Sequence, residues 1–466
     1  MITRLKPYPK MKHSGLFWLG DIPEHWKVRR LKYLLREVDD RSTTGSEQLL
    51  RVSQYTGVTE RSNSETGEPD TRSDSLVGYK RVEPGDLVVN IMLAWNGSLG
   101  VSEFHGITST AYCVYRVNAA GLNPWYVHHL LRTDEYKTRI KMTSRGVVDS
   151  RLRLYTDDLY DVEALVPPEN EQHELLRFLN HADRLIKRYI RAKQKLIKLL
   201  EEQKQAVIHR AVTRGLDPTV HLKPSGFDRL GDIPKHWDVA PFKHRVCFQE
   251  GPGIMASDFR EHGIPLLRIS GLKDDIATLH GCNYLDPDAV NQRWSHFRVR
   301  EGDYLLSASA STGKVSIATK EVAGSIPYTG IIRLWPASAG VVMPFVRLFI
   351  ESASFQVQVD VLKSGVAIEH FGPSHLKRMV IVLPPPEEQH AIVNAVEHVV
   401  GPINRAVEAA QNAMSTLRDL GSRLIADVVT GKIDVREAIA RLPEETHAAE
   451  PLDEDDVILE DEESAS

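Results

Sequence analysis

The sequence predicts an α+β protein with two similar globular domains, each followed by one long helix. Three observations lead to this prediction. The chain has 466 residues, of which 42% are hydrophobic and 26% are charged, a composition typical of globular proteins with more than one core. The segment LGDIPEHW at residues 19–26 recurs as LGDIPKHW at residues 230–237. Residues 175–213 and 387–429 have the apolar periodicity of long helices.

Other segments recur in the same order in both halves, at a spacing far longer than the roughly 20–50 residues of a solenoid repeat. The corresponding pairs are PGDLVVN (84–90) with EGDYLLS (301–307), NGSLGVS (96–102) with STGKVS (311–316), SRGVVDSRL (144–152) with KSGVAIEHF (363–371), and LVPPENEQH (165–173) with VLPPPEEQH (382–390). Two copies of a domain with an appended helix explain this order.

The mixed segment of each half contains short strand-like runs that Gly, Pro, Asn and Asp interrupt. Helices are predicted at residues 124–142 and 344–363, each with proline in its first turn. We expect the two long helices to pair antiparallel in an intramolecular coiled coil, because the first carries bulky apolar residues and the second is rich in alanine. Pro402 is predicted to kink the second helix or to restart it.

These patterns divide the chain into five segments. They are a first domain (1–168), a first long helix (169–214), a second domain (215–385), a second long helix (386–435) and an acidic C-terminal tail (436–466). Residues 444–466 contain 11 acidic residues and no Lys or Arg, so the net charge of −5 becomes +6 without them. We expect the tail to be disordered and solvated, and the rest of the chain to be mildly basic.

Motifs of common catalytic and cofactor sites are absent from the sequence. It contains no HExxH, no GxSxG, no glycine-rich cofactor fingerprint and no phosphate-binding loop. Three cysteines are too few for a disulfide framework or a four-cysteine zinc site. Since no membrane-length apolar run or secretory signal is present, a cytoplasmic protein is expected, with no membrane partner. A binding protein is therefore favoured over an enzyme.

Basic residues are concentrated on the first long helix. Residues 184–214 contain ten Lys or Arg and two Glu, whereas the second helix lacks this surplus. Such a face suits a phosphate backbone or an acidic partner, although a solvated helix face would look similar. The residues assigned to phosphate or partner contact are Lys187, Arg188, Arg191, Lys195 and Lys198.

Polar residues in the mixed segments of the two halves are candidates for contacts with DNA bases. Three are arginines of the 144–155 segment, and the fork of arginine matches the guanine edge. Surface arginines or a salt-bridged strand are the alternative interpretation. The candidates are Asn96, Arg145, Arg151 and Arg153 in the first domain, and Lys314, Arg333, Lys363 and His370 in the second. Different polar groups at corresponding positions are expected of two binding domains with different targets.

The repeated motifs themselves are predicted to be structural. Trp26 and Trp237 offer large apolar area for burial, and His25 and His236 lack a nearby acid or nucleophile in both copies. The residues assigned this structural role are Pro23, His25, Trp26, Pro234, His236, Trp237, Glu171, Gln172, Glu388 and Gln389.

LGDIPxHW, Gly-Asp before an apolar strand, and PPxxEQH before a long helix each occur twice. In this combination they resemble the DNA-specificity subunit of type I restriction–modification systems over residues 11–435. The resemblance implies two target recognition domains, each of which reads one half of a split site in double-stranded DNA. It also implies that the helices act as a spacer and dock two methyltransferase subunits.

The resemblance further implies that the chain has no enzymatic activity and binds no cofactor directly. S-adenosylmethionine would be used by the methyltransferase partners, and ATP and Mg²⁺ by a restriction subunit where one joins the assembly. A scaffold that binds other proteins through its duplicated domains is the alternative, and it predicts no sequence-specific DNA binding. A nuclease or methyltransferase with an unrecognised site would instead show metal- or cofactor-dependent turnover on DNA.

Overall fold

A computed structural model describes residues 5–61, 75–227, 230–272, 275–308, 313–363 and 371–442. The chain divides into two compact units. Unit 1 comprises Met1–Arg191 and Met414–Ser466, and unit 2 comprises Ala192–Ala413. Each unit thus contains one globular domain, the beginning of one long helix and the end of the other. Within the described ranges, no helix has both the length and the apolarity of a membrane span.

Unit 1 is built around an antiparallel sheet in the order β4-β11-β8-β9. Its strands are β1 (Met11–His13), β2 (Asp21–Pro23), β3 (Lys27–Arg30), β4 (Leu35–Val38), β5 (Leu50–Ser53), β6 (Gly57–Glu60), β7 (Lys80–Val82), β8 (Leu87–Asn90), β9 (Leu99–Val101), β10 (Gly106–Thr108), β11 (Tyr112–Val117) and β12 (Glu163–Val166). The additional pairs are β1–β2, β3–β12, β5–β6 and β7–β10. The helices are α1 (Pro124–Leu131), α2 (Asp134–Thr143), α3 (Thr156–Tyr160) and the first half of α4 (Glu169–Arg214).

The central strand β8 is buried on both faces, and this explains its continuous apolar sequence. Leu87 and Val89 belong to the main core, whereas Val88 between them packs in a second cluster with Val58 and Val114. Alternate side chains of a strand point to opposite faces. The sheet therefore lies between two apolar layers and holds the connections at its ends in place.

Unit 2 has a central sheet in the corresponding order, β16-β23-β20-β21, and a second sheet in the order β17-β19-β18-β22. Its strands are β13 (Leu222–Pro224), β14 (Asp232–Pro234), β15 (Asp238–Pro241), β16 (Val246–Glu250), β17 (Phe259–Arg260), β18 (Ile264–Leu267), β19 (Asn283–Leu285), β20 (Tyr304–Ser307), β21 (Val315–Ile317), β22 (Ile326–Pro327), β23 (Ile331–Pro336) and β24 (Val380–Leu383). Its helices are α5 (Pro287–Ala289), α6 (Met343–Ile350), α7 (Ala353–Lys363), α8 (Pro373–Leu376) and the first part of α9 (Pro386–Val429); the short α10 (Arg436–Ile439) follows in unit 1. The second long helix thus ends before the predicted residue 435, and the prediction of a disordered tail was wrong for residues 436–442, because Ile439 is buried in the core of unit 1 and Leu442 packs against that core. Residues 443–466 of the predicted tail lie outside the described residues. The described strand pairs of both units are antiparallel except for the parallel pair β18–β22, and the helices are separate from the strands, so the α+β prediction is confirmed.

Three helix predictions need correction. The helix predicted at residues 344–363 is two helices, α6 and α7, which are separated at residues 351–352. The prediction for Pro402 was a kink or a restart of the helix. Helix α9 continues through Pro402, so the restart was wrong, while the kink stays a prediction. The side chain of Pro402 is exposed, and the preceding Gly401 has no Cβ to meet the proline ring. The helix predicted at residues 124–142 is two helices, because the Thr133 hydroxyl accepts a hydrogen bond from the Tyr136 amide and caps a new helix, α2.

The glutamines of the two PPxxEQH motifs anchor the beginnings of the long helices. The Gln172 amide group donates to the carbonyl oxygens of Gly121 and Pro167 at 2.9 Å each, and its oxygen accepts from the Asn123 amide at 2.8 Å. Gln389 makes the same three types of bond in unit 2, to Gly340, Pro384 and Val342. Both side chains are almost fully buried. These bonds fix the direction in which each long helix leaves its domain.

The glutamate of each motif holds the IPxHW segment. Glu171 accepts hydrogen bonds from the Tyr8 hydroxyl at 2.7 Å and the Trp26 indole at 3.1 Å, and its other oxygen lies 2.7 Å from His25 Nε2. In unit 2, Glu388 lies 2.8 Å from His236 Nε2. The expectation that neither histidine has a nearby acid was therefore wrong, because folding brings in glutamates that lie 146 and 152 residues away in the chain.

A glycine at the end of a long helix packs against the tryptophan of each unit. A Cβ at Gly431 would lie 2.4 Å from the Pro23 ring and 3.0 Å from Trp26, and one at Gly215 would lie 3.1 Å from Trp237. The motif residues thus join the helix ends to the domains.

Candidate nucleic-acid interface

Four of the sequence-predicted residues lie on two neighbouring connections of unit 1. Asn96 is in the turn at residues 91–97 between β8 and β9, and the three arginines are in the loop at residues 144–155 between α2 and α3. The Leu154 amide donates to the Ile91 carbonyl at 2.9 Å, and Lys141 Nζ lies 5.0 Å from the centre of the Trp95 ring. The fold therefore brings the turn and the loop together.

The loop at residues 144–155 is closed by its own backbone. The amides of Arg145 and Arg153 each donate to the carbonyl of the other at 2.9 Å. Asp149–Arg151 forms a 3₁₀ turn, in which the Arg151 amide donates to the Val148 carbonyl at 2.8 Å. At Gly146 a Cβ would lie 2.6 Å from the Arg151 carbonyl oxygen, so only glycine fits there without a shift. The tip of this loop is therefore preorganised.

The candidate side chains differ in their exposure and in how many of their polar groups are already bonded within the protein. The Arg145 side chain is 65% exposed, and its guanidinium forms a 2.7 Å ion pair with Asp158. The side chain of Arg153 donates to the Leu152 carbonyl at 2.7 Å, and Asn96 accepts from the Ser98 amide and hydroxyl. Arg151 is exposed. Arg151 and the outer edge of Arg145 are consequently the cations of this loop best placed for an external ligand.

The corresponding connections of unit 2 carry two further candidates. Lys314 is exposed and directly precedes β21, following Gly313 with a φ of 107°. In unit 1, Gly97 with a φ of 97° occupies the same place before β9. Lys363 is the last residue of α7; its side chain and the whole of His370 lie outside the described residues.

Arg333 is not a surface residue, and its assignment as a base contact was wrong. It lies on β23 with 4% exposure, and its Nε donates to Asp303 Oδ2 at 2.9 Å. Asp303 belongs to the Gly-Asp motif, and the corresponding Asp86 of unit 1 accepts two bonds from Arg116 at 2.9 and 3.0 Å. The arginine therefore ties neighbouring strands together. A single sequence does not distinguish such a buried arginine from an exposed one on the same strand.

The basic residues assigned to the first long helix are all exposed. Lys187, Arg188 and Arg191 lie on the part of α4 in unit 1, and Lys195 and Lys198 on the part in unit 2. Lys187 forms an ion pair with Asp183 at 3.2 Å. Exposed cations on a rigid helix can contact a phosphate backbone or an acidic surface.

Unit 1 also contains an open cleft with a volume of about 1980 Å³, lined by residues of β5, β6, α1 and the long helices. Burial lowers the pKa of His128 to about 2 and that of His129 to about 4. Arg132 donates to five backbone carbonyls, among them Leu99 at 2.6 Å and Tyr55 at 2.8 Å. These groups hold the connections around β9 in place, and neutral histidines with such low pKa values are poorly suited to acid–base chemistry near pH 7.

Sequence reasoning missed the most exposed apolar residues of the interface. Val147 is 97% exposed and Val148 is 52% exposed at the tip of the 144–155 loop. The available signal was an apolar pair between two arginines in a glycine-containing loop. Within the described ranges, no group of three or more His, Cys, Asp or Glu could hold a metal ion. In unit 1, the loop, the turn and the exposed cations of α4 up to Arg191 offer guanidinium, ammonium and apolar groups, which suit DNA phosphates and base edges.

Comparisons with known proteins identify similar sequences. Residues 283–410 match the family model described as the type I restriction modification DNA specificity domain. The type I restriction enzyme MjaVIII specificity subunit of Methanocaldococcus jannaschii is 23% identical over 371 residues, which cover 77% of this chain and 83% of that protein. The EcoBI specificity subunit of Escherichia coli is 23% identical over 365 residues, which cover 76% and 74% respectively.

A solved structure shares the fold. It comes from work on complex assembly and conformational transition of the type I R-M system. The TM-score is 0.62 at 16% sequence identity, and the match covers 88% of this chain and 98% of the other.

Proposed function

We propose that this protein, which is similar to type I restriction–modification specificity subunits over most of its length, is the DNA sequence-specificity subunit of such a complex. The observation that carries the proposal is this similarity to several curated specificity subunits, each matched over about three quarters of the present chain or more. In this role the chain supplies recognition, and partner subunits supply the chemistry.

Each domain reads one half of a split DNA site in this proposal. In unit 1, Arg151 and the exposed edge of Arg145 contact base edges or phosphates, supported by the closed backbone of their loop. In unit 2, Lys314 takes part from the connection before β21. The corresponding loop sequences SRGVVDSRL and KSGVAIEHF differ in their polar groups, as expected of domains with different half-sites.

The long helices set the distance between the half-sites and dock two methyltransferase subunits. In unit 1, Ile186 of α4 lies 3.3 Å from the Cβ position of Gly421 on α9. In unit 2, Val212 near the end of α4 shares a core with Ile392 near the start of α9. These contacts support an antiparallel coiled coil, which is stiff enough to fix half-site spacing. S-adenosylmethionine is then bound by the partners, as are ATP and Mg²⁺ where a restriction subunit is present.

Genome-wide mapping of methylated adenines tests this function. Cells that carry this protein and an adenine methyltransferase subunit should show one split motif. Replacing residues 240–381 by the corresponding segment of another specificity subunit should change only one half of that motif. A continuous motif, or a change in both halves, would contradict the two-domain model. Methylation that does not depend on this chain would favour the protein-interaction scaffold instead.

A further inference from the structure

We propose that Val147 and Val148 read thymine in the half-site bound by unit 1, through contact with the C5 methyl groups in the major groove. The inference rests on the proposed function and deepens it, because it assigns a base type to a named part of the chain. The apolar tip of the 144–155 loop carries the argument.

The exposure of these valines has no intramolecular explanation. Val147 is 97% exposed and Val148 is 52% exposed, so their apolar surface gains little from folding. Surface loops usually use Gly, Ser, Asn, Asp or Pro, and valine favours strands. Two adjacent β-branched apolar residues at a loop tip therefore indicate a surface that is covered by a ligand.

The loop presents the valines in a defined conformation. The backbone bonds between Arg145 and Arg153 close its base, and the Arg151 amide bonds the Val148 carbonyl within a 3₁₀ turn. The missing Cβ of Gly146 lets the chain pass close to Arg151. Because the conformation exists before binding, little ordering entropy is lost when the tip enters a groove. β-branched side chains also have few rotamers to lose.

The surroundings of the valines favour DNA as the ligand. Exposed Arg151 follows them, and Arg145 precedes them with 65% of its side chain exposed although it pairs with Asp158. Lys141 neutralises Asp149, the acidic residue of the tip, through a 2.8 Å ion pair. An apolar tip flanked by cations matches a major groove, in which phosphates line the rims and each A·T pair presents one methyl group. Two valines alone are too small a patch for a stable protein interface.

Deoxyuridine substitution provides a direct test, because it removes only the C5 methyl group from thymine. The full-length protein is purified with its methyltransferase partner and tested on duplexes that carry the motif obtained from methylation mapping. Thymines of the half-site assigned to unit 1 are replaced one at a time by deoxyuridine, and affinities are measured by fluorescence anisotropy. Removing one buried methyl group should weaken binding about fourfold at the contacted thymines.

The variant Val147→Thr separates methyl contact from general weakening. Threonine has nearly the shape of valine but places a hydroxyl where a methyl was, so sensitivity to deoxyuridine should fall below about twofold. Val148→Thr is tested in the same way. Val77→Thr is the matched control, since Val77 is 55% exposed elsewhere in unit 1 and its variant should keep the fourfold sensitivity of the unaltered protein.

The outcomes are distinct. If the complex binds specifically but no position in this half-site is sensitive to deoxyuridine, the inference about the valines is overturned and the proposed function stands. A half-site without A·T pairs has the same consequence. Unchanged sensitivity in both Val147→Thr and Val148→Thr also overturns the inference. Absence of any sequence preference would overturn the proposed function as well. Because both valines are exposed, the variants should unfold at the same denaturant concentration as the unaltered chain.

Discussion

Replacing Arg333 by leucine should destabilise unit 2 strongly without changing DNA specificity. The side chains of Arg333 and Asp303 are 5% and 8% exposed, and the 2.9 Å ion pair between them joins β20 to β23. After the substitution, the Asp303 carboxylate keeps the Arg300 amide as a donor at 2.7 Å but loses its cation. An uncompensated buried charge costs about 3–5 kcal/mol.

Two further variants test whether the buried charge is the cause. Asp303→Asn combined with Arg333→Leu removes both charges but keeps an oxygen for the Arg300 amide, so the double variant should be within about 2 kcal/mol of the unaltered protein. The matched control is Arg116→Leu in unit 1. Arg116 is 51% exposed beside Asp86, so water can replace it and the expected loss is about 1–2 kcal/mol.

Hydrogen exchange measures these changes in each unit of the full-length chain. Amides of β20 and β23 report the opening free energy of unit 2, and amides of β8 and β11 report that of unit 1. A loss below about 1 kcal/mol for Arg333→Leu would refute the reasoning. So would a double variant no more stable than Arg333→Leu, or a methylation motif that changes in the double variant.

Three further predictions concern the loop, the buried histidine and the basic helix. Gly146→Ala should weaken specific DNA binding roughly tenfold in anisotropy titrations, because its Cβ would meet a carbonyl at 2.6 Å; equal affinity would contradict the preorganised loop. The pKa of His128 is lowered to about 2 by burial, and its Nδ1 accepts from the Val101 amide. The pKa of His129 is likewise lowered to about 4 by burial, so near and below pH 6.5 the unfolded chain binds protons that the two folded histidines do not. Urea unfolding should show unit 1 losing about 3–4 kcal/mol between pH 7 and pH 5, and His128→Gln should reduce that loss by about 2 kcal/mol. Lys195→Ala with Lys198→Ala should weaken binding to all DNA sequences alike and reduce the slope of log affinity against log salt by about 1–2; an unchanged slope would remove these residues from phosphate contact.

The mixed α+β class was predictable because strands and helices are indicated by patterns of neighbouring residues. PPxxEQH precedes the helical periodicity twice, and the structure explains the recurrence of its glutamine through bonds from Gln172 and Gln389 to carbonyls in their own domains. Pro167 and Pro384 belong to the motifs themselves, but the same glutamines also donate to the carbonyls of Gly121 and Gly340. Those two carbonyls were not predictable, since they lie 51 and 49 residues away and are brought close only by folding. The continuity of α9 through Pro402 likewise depends on local exposure that propensity alone does not specify.

In the candidate interface, too, part of the site was predictable from the sequence and part depended on the tertiary structure. Sequence comparison of the two halves located the 144–152 segment, and the structure places Arg145, Arg151 and Arg153 on one closed loop beside Asn96. Arg333 met the same criterion of residue type, yet it lies inside the sheet. The difference arises because strand residues alternate between core and surface, and the face that Arg333 occupies depends on the partner strand β20.

By itself the sequence determined the mixed strand and helix content, the repeated motifs and the basic character of the first long helix, because these follow from residue types and local periodicity. Only the tertiary structure decided which cationic side chains are exposed and which form ion pairs within the protein. It also decided that two valines are exposed between arginines at a loop tip. Those outcomes depend on burial and on contacts between residues distant in the chain, which no local pattern records.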